Sequence, residues 1–177
     1  HLLLGTKKRG VLVYDGKKIT VLHPTLDGIY VTALAGNESD LWVGTLNNGV
    51  SHFHAGATET FSEAQGLPDP QVQSLAISGD TTYAGTATGV AVFNNGRFSR
   101  VLASGIMATA LLATSTQLYV GSEDQGVVVI PLEGRRPNPK PGPGAILSEV
   151  HQLFAPGDAV FAVARNGLYR MNPRAFA

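Results

Sequence analysis

The ten residues LWVGTLNNGV, Leu41–Val50, hold the repeating element of the chain. Leu41-Trp42-Val43 is apolar without a polar alternate, the pattern of a strand covered on both faces. Gly44-Thr45 closes it, and Leu46-Asn47-Asn48 is a short link. Gly49 then opens a second strand, Val50-Ser51-His52-Phe53. A link this short makes the two strands an antiparallel hairpin, and glycine supplies the positive φ that such a turn requires.

Outward from this hairpin the same arrangement recurs. Gly5-Thr6 precedes Gly10-Val11, Gly85-Thr86 precedes Gly89-Val90, and Gly121-Ser122 precedes Gly126-Val127. A degenerate last copy reads Ala164-Arg165 before Gly167-Leu168. The second glycines, Gly10, Gly49, Gly89, Gly126 and Gly167, are 39, 40, 37 and 41 residues apart, a period that chance does not sustain. Asp15-Gly16 and Asn94-Asn95-Gly96 mark a further hairpin into a third strand, Lys18–Leu22 or Arg97–Leu102. A strand anchored on Leu34, Leu75, Leu111 and Leu153 precedes the motif, and these leucines lie 7, 7, 7 and 8 residues before Leu41, Thr82, Leu118 and Phe161.

Four short antiparallel strands in about forty residues, repeated in tandem, form the blade of a β-propeller. The expected fold is therefore all-β, a single propeller domain over residues 1–177 with four to five blades, part of a larger ring. The blades span approximately residues 1–24, 25–65, 66–104, 105–147 and 148–177. The first blade enters at its second strand. Glu133–Gly144 holds Pro137, Pro139, Pro141 and Pro143, and proline cannot donate to a ladder, so this stretch reads as a degraded or looped-out outer strand. The start at His1 reads as a processed chain or a piece of a longer one.

Composition narrows the function. Formal net charge is zero and 15% of residues are charged, so nucleic acid, which needs a basic face, is not an expected partner. Lys7-Lys8-Arg9 and Lys17-Lys18 read as solvated surface. The absence of cysteine removes disulfides, thiol chemistry and cysteine zinc sites. No apolar run approaches the ~20 residues of a membrane span, so this segment is expected to make no membrane contact. No cofactor is implied.

Two segments together, LWVGTLNNGV and AQGLPDPQVQSLAIS at Ala64–Ser78, resemble the two-component regulator propeller repeat. Trp42, Gly44, Thr45, Gly49, Gly66, Leu67 and Pro68 match one by one, while Asn48 replaces one glycine of the usual pair and Tyr83 and Tyr119 stand where tryptophan is typical. The resemblance implies a bacterial sensor propeller located in the periplasm or outside the cell. The matched residues are blade architecture, so no binding residue carries over from them.

The expected binding surface follows from propeller geometry. Turns between second and third strands gather with blade links at one channel mouth. Those turns hold Arg9, Asn48, Thr88, Gln125 and Asn166, and the links hold His23, Tyr30, Asp69, Gln71 and His151. The leading expectation is a non-enzymatic module that captures a small molecule or glycan there. Its other partner would be the remaining blades or a second copy of the chain. A propeller lyase or glycosidase would use His23, Tyr30 and His151 at the same mouth, and a scaffold for protein contacts is a third reading. No Gly-x-Ser-x-Gly motif is present, and Glu123-Asp124 reads as a solvated turn. His52 and His54 fall on one face of a strand at a spacing that zinc or copper could use. Val13, Val92, Val129 and Arg170 fill the repeat column of His52, and no third ligand lies nearby in sequence, so no metal is expected.

Overall fold

The structure, a computed structural model, describes residues 1–132, 140–141 and 147–171. Five antiparallel sheets follow one another along the chain. The first holds β1 (Leu2–Gly5), β2 (Val11–Tyr14) and β3 (Ile19–Val21). The second holds β4 (Val31–Gly36), β5 (Asp40–Thr45), β6 (Val50–His54) and β7 (Ala57–Phe61). The third holds β8 (Val72–Ser78), β9 (Thr81–Thr86), β10 (Gly89–Asn94) and β11 (Arg97–Leu102). The fourth holds β12 (Ala108–Ala113), β13 (Gln117–Ser122), β14 (Val127–Pro131) and the two-residue β15 (Lys140–Pro141). The fifth holds β16 (Val150–Phe154), β17 (Val160–Ala164) and β18 (Gly167–Met171).

Neighbours in each sheet are neighbours in sequence, and β4, β8, β12 and β16 stack one on the next, with β1 against β4. This is the β-propeller arrangement. The first sheet begins at the strand equivalent to β5, as the sequence implied. Lys140-Pro141 pairs with Val128 and Val129 as a short outer strand; the rest of the proline-rich stretch, and Pro173–Ala177, lie outside the described residues.

The core lies between blades rather than within one. Trp42, Val50 and Phe61 of the second blade pack with Ala84, Ala91 and Phe93 of the third. Tyr83 and Val92 of the third meet Leu118 and Val120 of the fourth. Both faces of a middle blade are thus covered, which is why its strands do not alternate.

The two glycines of the motif are required for different reasons. Gly49 has φ +70° and turns the hairpin. Gly44 has ordinary φ; a Cβ there would come within 2.7 Å of Val72 Cγ1 on the next blade. Gly5, Gly85 and Gly121 meet Val31, Ser74 with Ala108, and Val150 in the same way. The repeat glycine sets the distance between blades. Beside it the hydroxyls of Thr6, Thr45, Thr86 and Ser122 donate to the carbonyls of Gly10, Gly49, Gly89 and Gly126 at 2.7–3.0 Å.

The fifth blade departs from the sequence alignment by one residue. Val31, Val72 and Ala108 pair with Thr45, Thr86 and Ser122, and the equivalent Val150 pairs with Ala164. Ala164 therefore stands at the threonine position, and Phe161, not Ala162, at the position of Trp42. The corrected alignment sets Leu153 against Val160 with the same spacing as Leu34 to Leu41. Without a hydroxyl at position 164, this blade has no latch, and the sequence motif blurs where the bond is missing.

Candidate functional site

Two rims of the propeller carry different chemistry. On one, the turns between second and third strands meet the blade links. Leu46 N–H donates to Tyr30 O, Gly49 N–H to Pro70 O and Ala87 N–H to Gln71 O. The residues expected to bind here, Arg9, Asn48, Thr88, Gln125 and Asn166, occupy five successive hairpin turns with exposed side chains. The backbone amides of the first four donate to the hydroxyls of Thr6, Thr45, Thr86 and Ser122. Thr88 also donates from Oγ1 to Pro68 O, which ties its turn to a link. The first four turns are fastened to the blades, and they expose side chains of unrelated type.

The link residues make separate local contacts. His23 caps the short 3-10 turn Pro24–Leu26, its Nδ1 2.8 Å from Thr25 Oγ1 and its ring 5.1 Å from that of Phe53. Tyr30 lies beneath Lys7 Nζ at 5.8 Å. His151 is the extra residue of a bulge in β16 and is exposed. Asp69 accepts from the Gln71 amide, a local turn bond. Among the described residues no hydrogen bond joins His23, Tyr30 and His151.

The opposite rim is formed by the turns between first and second strands and between third and fourth. There, between the second and third blades, an open cleft of about 490 Å³ is lined by Asn37, Asp40, Trp42, His52, His54, Ile77, Asp80, Asn95 and Gly96, among others. Antiparallel register builds it. Asp40 stands directly across the ladder from His54, and Trp42 from His52. Strand alternation brings His52 and His54 to the same face. His52 Nε2 is 2.7 Å from Asp40 Oδ1, and His54 Nδ1 is 3.6 Å from Asp40 Oδ2. The half-buried His52 ring stacks on Trp42 at 4.1 Å between centroids and 9° between planes. Trp42 is 4% exposed, and its ring is 4.9 Å from that of Phe93 of the third blade. The far wall is the Asp80 and Asn95 turn pair, fixed by an N–H donated from Asn95 to Asp80 O.

Sequence reasoning singled out His52 and His54 but not Asp40 beside them. The signal was present in the hairpin. Counting back strand by strand from the Gly44–Val50 pair sets Asp40 opposite His54. The search was confined to neighbours in sequence, while the third donor lies across the ladder. Among the described residues no other blade repeats this group. The positions of Trp42 and His52 are Tyr83 and Val92 in the third blade, and Tyr119 and Val129 in the fourth.

Comparison with known proteins shows fold likeness. No protein-family profile matches the chain, and no curated protein matches it by sequence. Among solved structures, the computationally designed Ika8 protein matches with TM-score 0.71 and 19% identity, over 96% of this chain and 54% of that one. The extracellular domain of BT4673 from B. thetaiotaomicron, described as a candidate hybrid two component system, matches with TM-score 0.76 and 23% identity, over 96% of this chain and 24% of that one. PorZ, an essential surface component of the type-IX secretion system of Porphyromonas gingivalis, matches with TM-score 0.69 and 15% identity, over 98% of this chain and 27% of that one. The chain thus spans between a quarter and about half the length of these proteins. The neighbours include an extracellular domain and a bacterial surface component, and no described helix is long and apolar enough to cross a membrane.

Proposed function

We propose that the chain is a non-enzymatic ligand-binding module of a bacterial sensor propeller located outside the cytoplasm, and that its ligand, a small molecule or glycan, sits in the cleft between the second and third blades. The observation that carries this reading is the cleft itself: an imidazole stacked on a nearly buried indole, faced by carboxylates and amides from two blades. Aromatic surface beside a few polar groups is the usual make-up of a small-molecule site. The fold of the BT4673 extracellular domain lends the sensor reading its context. A ligand touching both blades would act on how they pack, and that change is what a sensor could transmit.

The test is a thermal-shift screen of small molecules and oligosaccharides on the wild-type chain and two variants. A ligand that binds the native state raises Tm. Ile77→Arg, at a 39% exposed cleft side chain, should abolish the shift, while Asn48→Ala with Gln125→Ala should leave it intact. The reverse result would return the site to the turn rim.

One observation favours an enzyme as a second reading. Asp40 and Asp80 line one cleft with two imidazoles, the residue types a propeller lyase or glycosidase would use. Turnover of a glycan hit, detected as new reducing ends and lost in Asp40→Asn, would support it.

The other partner we propose is a further blade, from the remaining ring or a second copy of the chain. Leu2, Tyr14 and Ile19 stand side by side across the first blade, 57%, 38% and 53% exposed. On interior blades such rows are covered. Light scattering that finds a monomer with wild type and Ile19→Lys alike would exclude the second copy.

A further inference from the structure

The cleft contains a donor set that ligand capture alone does not explain. Asp40, His52 and His54 each present one ligand atom, and all three atoms lie within 4.8 Å of one another. Ligand atoms about 2.0–2.1 Å from a tetrahedral ion stand about 3.3 Å apart. The observed separations of 2.7 Å and 3.6 Å lie on either side of that value, and no separation exceeds 4.8 Å. Small side-chain rotations would close the triangle without moving the strands.

Three features argue that this is more than a chance polar cluster. The first is rigidity. His52 is held by its stack on Trp42, with its ring edge facing Gly96, where an added Cβ would lie 3.5 Å from Nδ1 and Cε1. The second is placement in the repeat. The His52 position holds valine in the third and fourth blades, so the blade itself does not call for an imidazole there. The third is composition. Two imidazoles with one carboxylate are borderline donors that suit zinc-class divalent ions rather than calcium or magnesium, which take oxygen.

We infer that Asp40, His52 and His54 form a binding site for a zinc-class divalent cation, with a coordination position left for a ligand from the cleft. Three protein ligands are the complement of an open zinc site, as opposed to the four of a closed structural one. Asn37, Asp80 and Asn95 share the same cleft and could orient what enters. The inference concerns the ion alone and does not depend on the sensor reading.

The experiment is calorimetric titration of chelator-treated chain with zinc chloride, for wild type, His54→Ala and His52→Phe. Phenylalanine keeps an aromatic ring on Trp42 while removing the donor. We expect one equivalent of zinc in wild type. Each variant should weaken binding by at least about ten-fold, the lower limit seen even for groups that only support a ligand. A cobalt(II) absorption spectrum of four-coordinate type in wild type, lost in Asp40→Asn, should accompany it. The inference is overturned if wild type takes up no stoichiometric zinc, or if both variants bind as well as wild type, which would assign the ion to His1, His23 or His151. Should His52→Phe fail to fold, His54→Ala decides alone, because His54 is exposed and its removal leaves the core untouched.

Discussion

The two rims of this propeller are built from the same strands, yet one repeats its side-chain bonds and the other varies them. Along the turn rim, four blades repeat one device: a threonine or serine hydroxyl donates to a glycine carbonyl and accepts the turn amide. Along the cleft rim the backbone bonds recur, Asn95 N–H to Asp80 O and Leu132 N–H to Thr116 O, but the side chains of the second and third blades differ. The second pairs Asp40 with His54, while the third bonds Thr81 Oγ1 to Asn94 Oδ1. What repeats in a propeller is what every blade needs in order to fold. A chemical site at one junction has to be sought among the departures from the repeat.

The sharpest way to break this comparison is to strike the repeated glycine. Gly85→Ala would place a Cβ within 2.6 Å of the Ala108 carbonyl, and backbone cannot rotate away. We expect a loss of about 1–3 kcal/mol in urea unfolding, as for other overpacked sites. An unchanged midpoint would show that blade spacing is not set at this position.

Thr86→Val tests the latch. It strips a fully buried hydroxyl of its bond to Gly89 O and leaves the Thr88 amide without its acceptor. A cost of about 1–2 kcal/mol is expected. The converse sharpens the comparison: Ala164→Thr should add the missing latch to the fifth blade and gain about 0.5–1 kcal/mol. The turn there, Arg165-Asn166, has the same length as Ala87-Thr88 in the third blade. No gain would mean that the hydroxyl follows stability rather than supplying it.

On the cleft rim, His54→Ala should change stability by less than about 0.5 kcal/mol, as expected of an exposed side chain outside the core. Equal unfolding curves with unequal ligand or zinc binding would separate function from folding at this rim. A large loss of stability would instead make the His54–Asp40 contact part of the frame.

The mildest test varies pH. The phenols of Tyr83 and Tyr119 stand at the position of Trp42, and burial pushes both above the ordinary tyrosine value, with Arg100 opposing the rise at Tyr83. Folding favours their neutral form. Their contribution is whole below about pH 10 and is lost as pH rises through the higher folded values. Circular dichroism on the alkaline side should show this slope, flattened in Tyr119→Phe.

The blade architecture was legible in the sequence because each blade states it again. Val11, Val50, Val90 and Val127 occupy one column, and spacing alone gave the hairpins. The fifth blade was misaligned by one residue because Arg165 was matched to threonine by position after an alanine, whereas only pairing with Val150 reveals Ala164 there. The cleft was half legible. His52 and His54 are two residues apart in one strand, but Asp40 reaches them across the ladder and the far wall comes from another blade some forty residues away. Periodicity reports what recurs, and a site used at one junction leaves no period.

Trp42 is the single tryptophan of the chain and is nearly buried where the second and third blades meet. Its emission therefore reports on one junction out of the whole fold. An occupant of the cleft or an ion on the stacked imidazole would register as a change in intensity or wavelength, and so would any parting of these two blades. Loosening at the first or fifth blade would stay dark. The molecule carries an optical probe at the place where its candidate chemistry lies, and no label needs to be added to read it.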